Sequence, residues 1–178
     1  PSISPRCIGV IGTWASPALI SAAAGAAPIG ASWPATHYST GTSFNHTLAV
    51  ADLNGDGLPD VATPNSQTSA VTVLLGSGGG ALAPFHAYAT FSEPQDVVMA
   101  DLTGDGVLDL ATADYTSGGI TALAGLGDGT FAPRVGHPVG AGLIALIAVD
   151  LNGDTRPELA ISKESGNTLV VLPALSGG

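Results

Sequence analysis

"DLNGDGLPD", Asp52 to Asp60, sets four acidic or amide side chains, Asp52, Asn54, Asp56 and Asp60, within nine residues and puts Gly57 at the sixth place. The pattern returns as "DLTGDGVLD" from Asp101 and as "DLNGDTRPE" from Asp150, and each step is 49 residues. Nine of the 14 acidic residues lie in these three stretches, so the negative charge is concentrated rather than spread as a solubilising coat. The net charge is −10. Three divalent cations would bring it to about −4 and remove much of the self-repulsion.

Composition bounds the rest. The 178 residues are 45% hydrophobic, enough for one domain with a real core and too apolar for a disordered acidic tail. Gly at 25 and Pro at 13 imply many turns. The basic residues are Arg6, Arg134, Arg156 and Lys163, too few for an electrostatic grip on nucleic acid or for a basic membrane-binding face. Cys7 is the single cysteine, which excludes an internal disulfide and leaves a free thiol or an intermolecular link. The chain begins at Pro1 without Met and reads as a processed or excerpted product. The apolar stretch after Arg6 is broken by Pro17 and Pro28, unsuited to a membrane span of roughly 20 apolar residues, and is read as mature structure.

The 49-residue shift aligns more than the acidic stretches. Val71, Ile120 and Leu169 fall together, as do Gly76 with Gly125, Pro84 with Pro133, and His37 with His86. In the middle copy, Asp96 to Leu102, Leu108 to Tyr115 and Gly119 to Leu126 read as strands. Phe131 to Val139, with its prolines, reads as a fourth strand at an edge. Four short antiparallel strands in a repeat of this length make the sheet unit of a β-propeller blade. The expected fold is all-β: three tandem four-stranded blades over 36–178, with repeats at about 44–90, 91–139 and 140–178, after an apolar N-terminal arm at 1–35. No segment has a convincing helical period, although Ala22 to Ala27 has the composition for a turn or two.

The phase of the repeats predicts association. The third copy ends after its third strand, whereas Thr36 to Thr42 corresponds to a fourth strand that precedes the first blade. Propellers have about four to eight blades, and here there are three. An unpaired strand edge is a template for another chain. The expected partner is a second copy, whose Thr36 to Thr42 strand completes the third blade in a head-to-tail contact that closes a ring or grows a filament. The apolar segment from Ile8 to Trp33 then packs along a neighbour or folds back as a cap.

The D-x-[DN]-x-[DN]-G spacing suits Ca²⁺, which takes six to eight oxygens, because alternate residues of a tight turn aim oxygens inward. Mg²⁺ prefers rigid, water-rich octahedra. The bland alternative is an acidic hairpin held by Asx-type hydrogen bonds without metal. Together with "GDGTFAP", the three stretches resemble the FG-GAP or VCBS-type repeats of integrin-α-like β-propellers, over roughly Leu48 to Leu172. The resemblance implies Ca²⁺ held by side chains at positions one, three, five and nine and by the carbonyl at seven. That gives Asp52, Asn54, Asp56 and Asp60 with Leu58; Asp101, Thr103, Asp105 and Asp109 with Val107; and Asp150, Asn152, Asp154 and Glu158 with Arg156. Thr103 offers only a hydroxyl. Thr155 replaces the turn Gly with a β-branched residue that resists a left-handed conformation, and Glu158 is one methylene longer than Asp, so the third site is the weakest.

No catalytic constellation accompanies these loops. His37, His46, His86 and His137 lack a metal spacing, there is no G-x-S-x-G elbow, and "GSGGG" lacks the Lys of a phosphate loop. Asn45 opens an N-glycosylation sequon. The function expected is a non-enzymatic, calcium-stabilised, self-assembling structural subunit, extracellular or on the cell surface. The alternative is an adhesive or carbohydrate-binding module whose partners are glycans or cell-surface proteins. Aromatic residues are 5%, and Trp14 and Trp33 lie in the arm, which weighs against a sugar-stacking platform in every blade.

Overall fold

Each acidic stretch is the bend of a β-hairpin. The computed structural model describes residues 35–41, 46–164, 166 and 168–174. Residues 1–34, with Cys7, Trp14, Trp33 and nearly all of the expected arm, lie outside the described residues, as do Thr42 and Asn45. Among the described residues every regular element is a strand.

The chain runs through β1 (Ala49–Ala51), β2 (Asp60–Asn65), β3 (Ala70–Leu74), β4 (Gly76–Gly78), β5 (Ala81–Leu82) and β6 (His86–Ala89). Next come β7 (Pro94–Ala100), β8 (Asp109–Asp114), β9 (Gly119–Leu123) and β10 (Val135–Pro138). It ends in β11 (Leu143–Val149), β12 (Glu158–Lys163) and β13 (Leu169–Leu172). Sheet order is β1-β2-β3-β6, then β10-β9-β8-β7, then β11-β12-β13, all antiparallel, with β4-β5 a separate small ribbon.

The strands of the middle repeat match expectation with shifted ends: the first starts two residues earlier, at Pro94, and the others are shorter. The fourth is cut to Val135–Pro138, because Phe131 makes only an isolated bridge to Gly125. The β4-β5 ribbon was not foreseen; its turn contains Gly78, Gly79 and Gly80 at positive φ, a backbone that glycine alone adopts freely. Thr36 to Gly41, the described part of the expected donor strand, is irregular rather than extended in a sheet. Its Thr40 carbonyl accepts the Thr72 hydroxyl at 3.1 Å, and a Cβ at Gly41 would meet the Phe85 ring, so this segment lies on the first sheet of its own chain.

Two cores hold the sheets together. Leu53, Ala62, Val71 and Val73 of the first repeat pack with Val97, Leu110 and Leu123 of the second. Val98, Ala111, Ala113 and Ile120 on the other face of the second sheet pack with Leu143, Leu146, Leu159 and Ile161 of the third. β7 touches the first sheet and β11 touches β7 and β8, so the first strand of each repeat is the strand shared with its neighbour. Burying each such Leu or Ile contributes about 1.5–3 kcal/mol.

The third sheet differs on its far face. In the second sheet the cross-strand row Val98, Ala111, Ala122 is buried. Its counterpart at a 49-residue shift is Ile147, Ala160, Val171, in which Ile147 is 44% and Val171 46% exposed. Leu169 on the same strand is 67% exposed. Among the described residues β13 pairs with β12 alone, whereas β3 and β9 pair on both sides.

Candidate metal-binding loops

The first loop is wound around the carboxylate of Asp52. Its Oδ1 accepts the amides of Gly55 and Asp56 at 2.8 and 3.1 Å, and its Oδ2 accepts that of Gly57 at 2.8 Å. The second loop repeats this with Asp101 and the amides of Gly104, Asp105 and Gly106. The third does so with Asp150 and the amides of Gly153 and Thr155. Such winding needs left-handed backbone at positions four and six. Gly55 and Gly57 (φ +74° and +83°), Gly104 and Gly106 (+80° and +88°) and Gly153 (+83°) supply it. In the third loop the second of these residues is Thr155, at φ +75°. The amide bonds hold the exposed Asp150 carboxyl below its usual range.

Positions three and five join the same turn. The Asp56 amide is 3.1 Å from both Asp52 Oδ1 and Asn54 Oδ1, so two side-chain oxygens converge on one N–H. Asn54 Nδ2 donates to Asp56 Oδ2 at 3.0 Å, and Asn152 repeats that bond to Asp154. The position-seven amides of Leu58, Val107 and Arg156 donate to Asp56, Asp105 and Asp154 at 2.7–2.8 Å.

Position nine is built differently. Asp60 is fully buried; Oδ2 accepts the Leu53 amide at 2.8 Å and Oδ1 the Gly76 amide at 2.6 Å. Asp109 Oδ2 accepts the amides of Leu102 and Thr103, and its Oδ1 accepts that of Gly125 at 2.8 Å. Burial pushes the Asp109 carboxyl up, while these amides pull it down. The carboxylate thus ties the start of its loop to the end of the third strand. Sequence reasoning missed the partner glycines, although their alignment at the 49-residue shift was the signal. A Cβ at Gly125 would lie 2.1 Å from the Leu108 carbonyl oxygen, and one at Gly76 would lie 2.6 Å from that of Pro59. The third repeat has Ala174 at this place. There Glu158 accepts the Leu151 amide and the Asn152 side chain instead.

These hydrogen bonds are the Asx-type network of the metal-free alternative, and they also bear on metal fit. Among the described residues no group of three His, Cys, Asp or Glu side chains stands close enough to hold an ion. Two observations favour a fit at the first two loops. Carboxylate and amide oxygens of positions one and three converge in the first, and Asp52 Oδ2 and Asn54 Oδ1, each accepting one bond, keep a further lone pair. In the second, Thr103 Oγ1 is buried without a hydrogen-bond partner at position three. The third loop fits less well: Glu158 Oε1 is engaged by Asn152, and the Arg156 side chain leaves its own loop. Its guanidinium donates to the Thr103 carbonyl at 3.1 Å and lies over Gly104, clamping the third loop to the second.

A second polar cluster lies within the middle sheet. Asp114 is fully buried and accepts the hydroxyls of Thr112 and Thr121, which face each other across β8 and β9. Thr121 Oγ1 accepts the Phe91 amide at 3.0 Å. Arg134 stacks 4.5 Å over the Phe91 ring and donates to the Thr90 carbonyl. Burial raises the Asp114 carboxyl to about 6, against the pull of the two hydroxyls and Arg134.

No helix among the described residues is long and apolar enough to cross a membrane. Neither the curated proteins nor the solved structures contain a match to this chain. A model of the FG-GAP-like repeat matches it twice, at 52–112 and 101–161. Each match begins on the first aspartate of an acidic loop, the two are offset by the 49-residue repeat, and together they span more than half of the sequence. With its hairpin loops and tandem antiparallel sheets, the chain belongs to the FG-GAP-like repeat family.

Proposed function

We propose that this protein is a non-catalytic, calcium-stabilised structural subunit that works outside the cell and joins copies of itself head to tail, each repeat acting as one propeller-type blade. The observation that carries the reading is the third sheet, whose last strand has a free edge and whose far face presents Ile147, Leu169 and Val171 to solvent among the described residues. Its counterparts in the second sheet are covered by the next repeat, and a neighbouring copy offers the same kind of cover. The Thr36 to Thr42 strand is the proposed donor. It must exchange its seat beside Thr72 for the neighbour's β13 edge.

Calcium belongs to the same proposal. Asp52, Asn54, Asp56 and Asp60 with the Leu58 carbonyl would hold one ion. Asp101, Thr103, Asp105 and Asp109 with Val107 would hold a second, and Asp150, Asn152, Asp154 and Glu158 with Arg156 a weaker third. The ion would neutralise carboxylates that otherwise repel, and so rigidify each hairpin. Electron microscopy of the purified protein, with calcium and then with excess chelator, tests both parts. Filaments or rings that dissolve on chelation support the proposal. Single particles in both conditions overturn the assembly.

A further inference from the structure

At the opposite end of the sheets from the acidic loops lies a cleft of about 540 Å³. The acidic loops join the end of each repeat's first strand to the start of its second, so antiparallel pairing places the other ends of those strands together. Two rows of equivalent residues meet there: His46, Gln95 and Ile144 at the first strands, and Ser66, Tyr115 and Glu164 just after the second. The core positions of the repeats carry similar apolar residues, whereas each of these rows has a different side chain in every copy. The cleft is therefore chemically asymmetric although its scaffold is repetitive.

Its charge is of one sign. Glu93 and Glu164 line it, and among the described residues no Lys or Arg does. Tyr115 stands between the two glutamates. Its hydroxyl donates to Glu164, its amide donates to the Glu93 carbonyl at 3.0 Å, and the neighbouring Thr116 hydroxyl donates to the Glu93 carboxylate. Lys163, next in sequence to Glu164, extends toward Gly140 in the link between β10 and β11 and does not line the cleft. Ile144 is 45% exposed at the wall and gives an alkyl chain an apolar surface.

We propose that this cleft binds a small organic cation, a primary ammonium carried on an alkyl chain. Two carboxylates fixed by hydroxyl donors offer charge-assisted acceptors, and the Tyr115 ring and Ile144 give the methylenes cover. The volume falls within the range of small-molecule sites, about 300–1,000 Å³. The net charge of −10 draws cations toward the molecule. A neutral sugar satisfies these features less well, since among the described residues the lining has one tyrosine and neither Phe nor Trp for stacking, and the two glutamates would keep their charge unmatched.

The test is calorimetric titration of the full chain in saturating calcium, which keeps the acidic loops out of the competition, with 1,5-diaminopentane as the probe and 1,5-pentanediol as its neutral isostere. Expected are saturable one-to-one binding of the diamine and none of the diol. Glu93→Gln and Glu164→Gln should each weaken the diamine at least fivefold. Asp128→Asn, which removes an exposed acid elsewhere, should leave it unchanged. Three results overturn the proposal: no saturable heat with the diamine to about 10 mM (a binding energy under about 3 kcal/mol), equal binding of the diol, or unaltered affinity in both Gln variants with unchanged melting midpoints. Should one Gln variant fail to fold, the other carries the test.

Discussion

The second and third repeats share a spacing and a hairpin, yet they solve the same loop in different ways. In the second, Asp109 holds three backbone amides, two at the start of the loop and one on Gly125. In the third, Glu158 holds one backbone amide and one side-chain amide, and Ala174 stands where Gly125 would be. The difference has a steric root. A Cβ at the Gly125 position runs into a carbonyl oxygen 2.1 Å away, so a repeat with alanine there cannot close the same way. Covering differs as well, since among the described residues the second sheet is packed on both faces and the third on one. The first two repeats keep a tight, glycine-dependent lock, while the third has the Arg156 clamp to its predecessor.

Removing the locks should break the contrast most visibly. Asp109→Ala leaves the buried Leu102 amide and two partly covered ones without their acceptor, and we expect a loss of about 4 kcal/mol. Glu158→Ala should cost about 1–2 kcal/mol, because only one backbone amide is orphaned. Urea unfolding in excess chelator measures both without any contribution from metal. Equal losses would mean that the two loops are held alike.

Calcium is the next lever. On the proposed reading, an ion at a hundred times its dissociation constant stabilises the folded state by about 2.7 kcal/mol per site. The rise in melting midpoint on adding calcium should shrink clearly in Asp52→Ala and Asp101→Ala, and least in Asp150→Ala. A midpoint that calcium does not move would leave the hydrogen-bonded hairpin as the whole purpose of the acids.

Much of this was legible in the sequence, and the gaps have physical causes. The acidic spacing gave the hairpin bends because an Asp followed by glycines at positions four and six can do little else than wrap its amides around its own carboxylate. The strands of the middle repeat could be placed because short β-prone runs sit between unmistakable turns. What stayed hidden depends on partners far along the chain. Nothing local to Asp109 announces that it reaches Gly125, and nothing local to Arg156 says that its guanidinium lies on Thr103. The cleft was invisible for the same reason, since its rows assemble only when three repeats lie side by side. The Thr36 to Gly41 segment was expected as a strand, but within one chain it lies against Thr72 rather than beside a free strand edge.

The repeats also differ at the end of their second strands, where Asn65, Asp114 and Lys163 are equivalent. Asp114 titrates near 6 when folded and near 3.8 when unfolded. Between these values the folded protein holds more protons than the unfolded one, so this group's contribution to stability falls as pH rises through the window. Above about 6 the full cost applies, on the order of 3 kcal/mol. Asp114→Asn, which installs the first repeat's residue, should raise stability by about that much at pH 7 and flatten the dependence between pH 4 and 6. Denaturant titrations at several pH values check it. If the variant is less stable at every pH, the attraction of Arg134 outweighs the burial of the charge.

The smallest effect tests the third loop alone. Thr155 sits at φ +75°, where its two counterparts are Gly57 and Gly106. A β-branched residue there costs about 1–2 kcal/mol relative to its preferred backbone. Glycine would relieve that strain but adds freedom to the unfolded chain, an opposing term of about 0.5–1 kcal/mol. Thr155→Gly should therefore stabilise the protein by about 0.5–1 kcal/mol, and thermal unfolding in chelator can read the sign. Repeating the measurement in calcium sharpens the comparison between loops. If loop strain is what weakens the third site, the glycine variant gains more from calcium than the parent chain. An equal gain in both would place the weakness at Glu158, whose longer side chain the substitution leaves untouched.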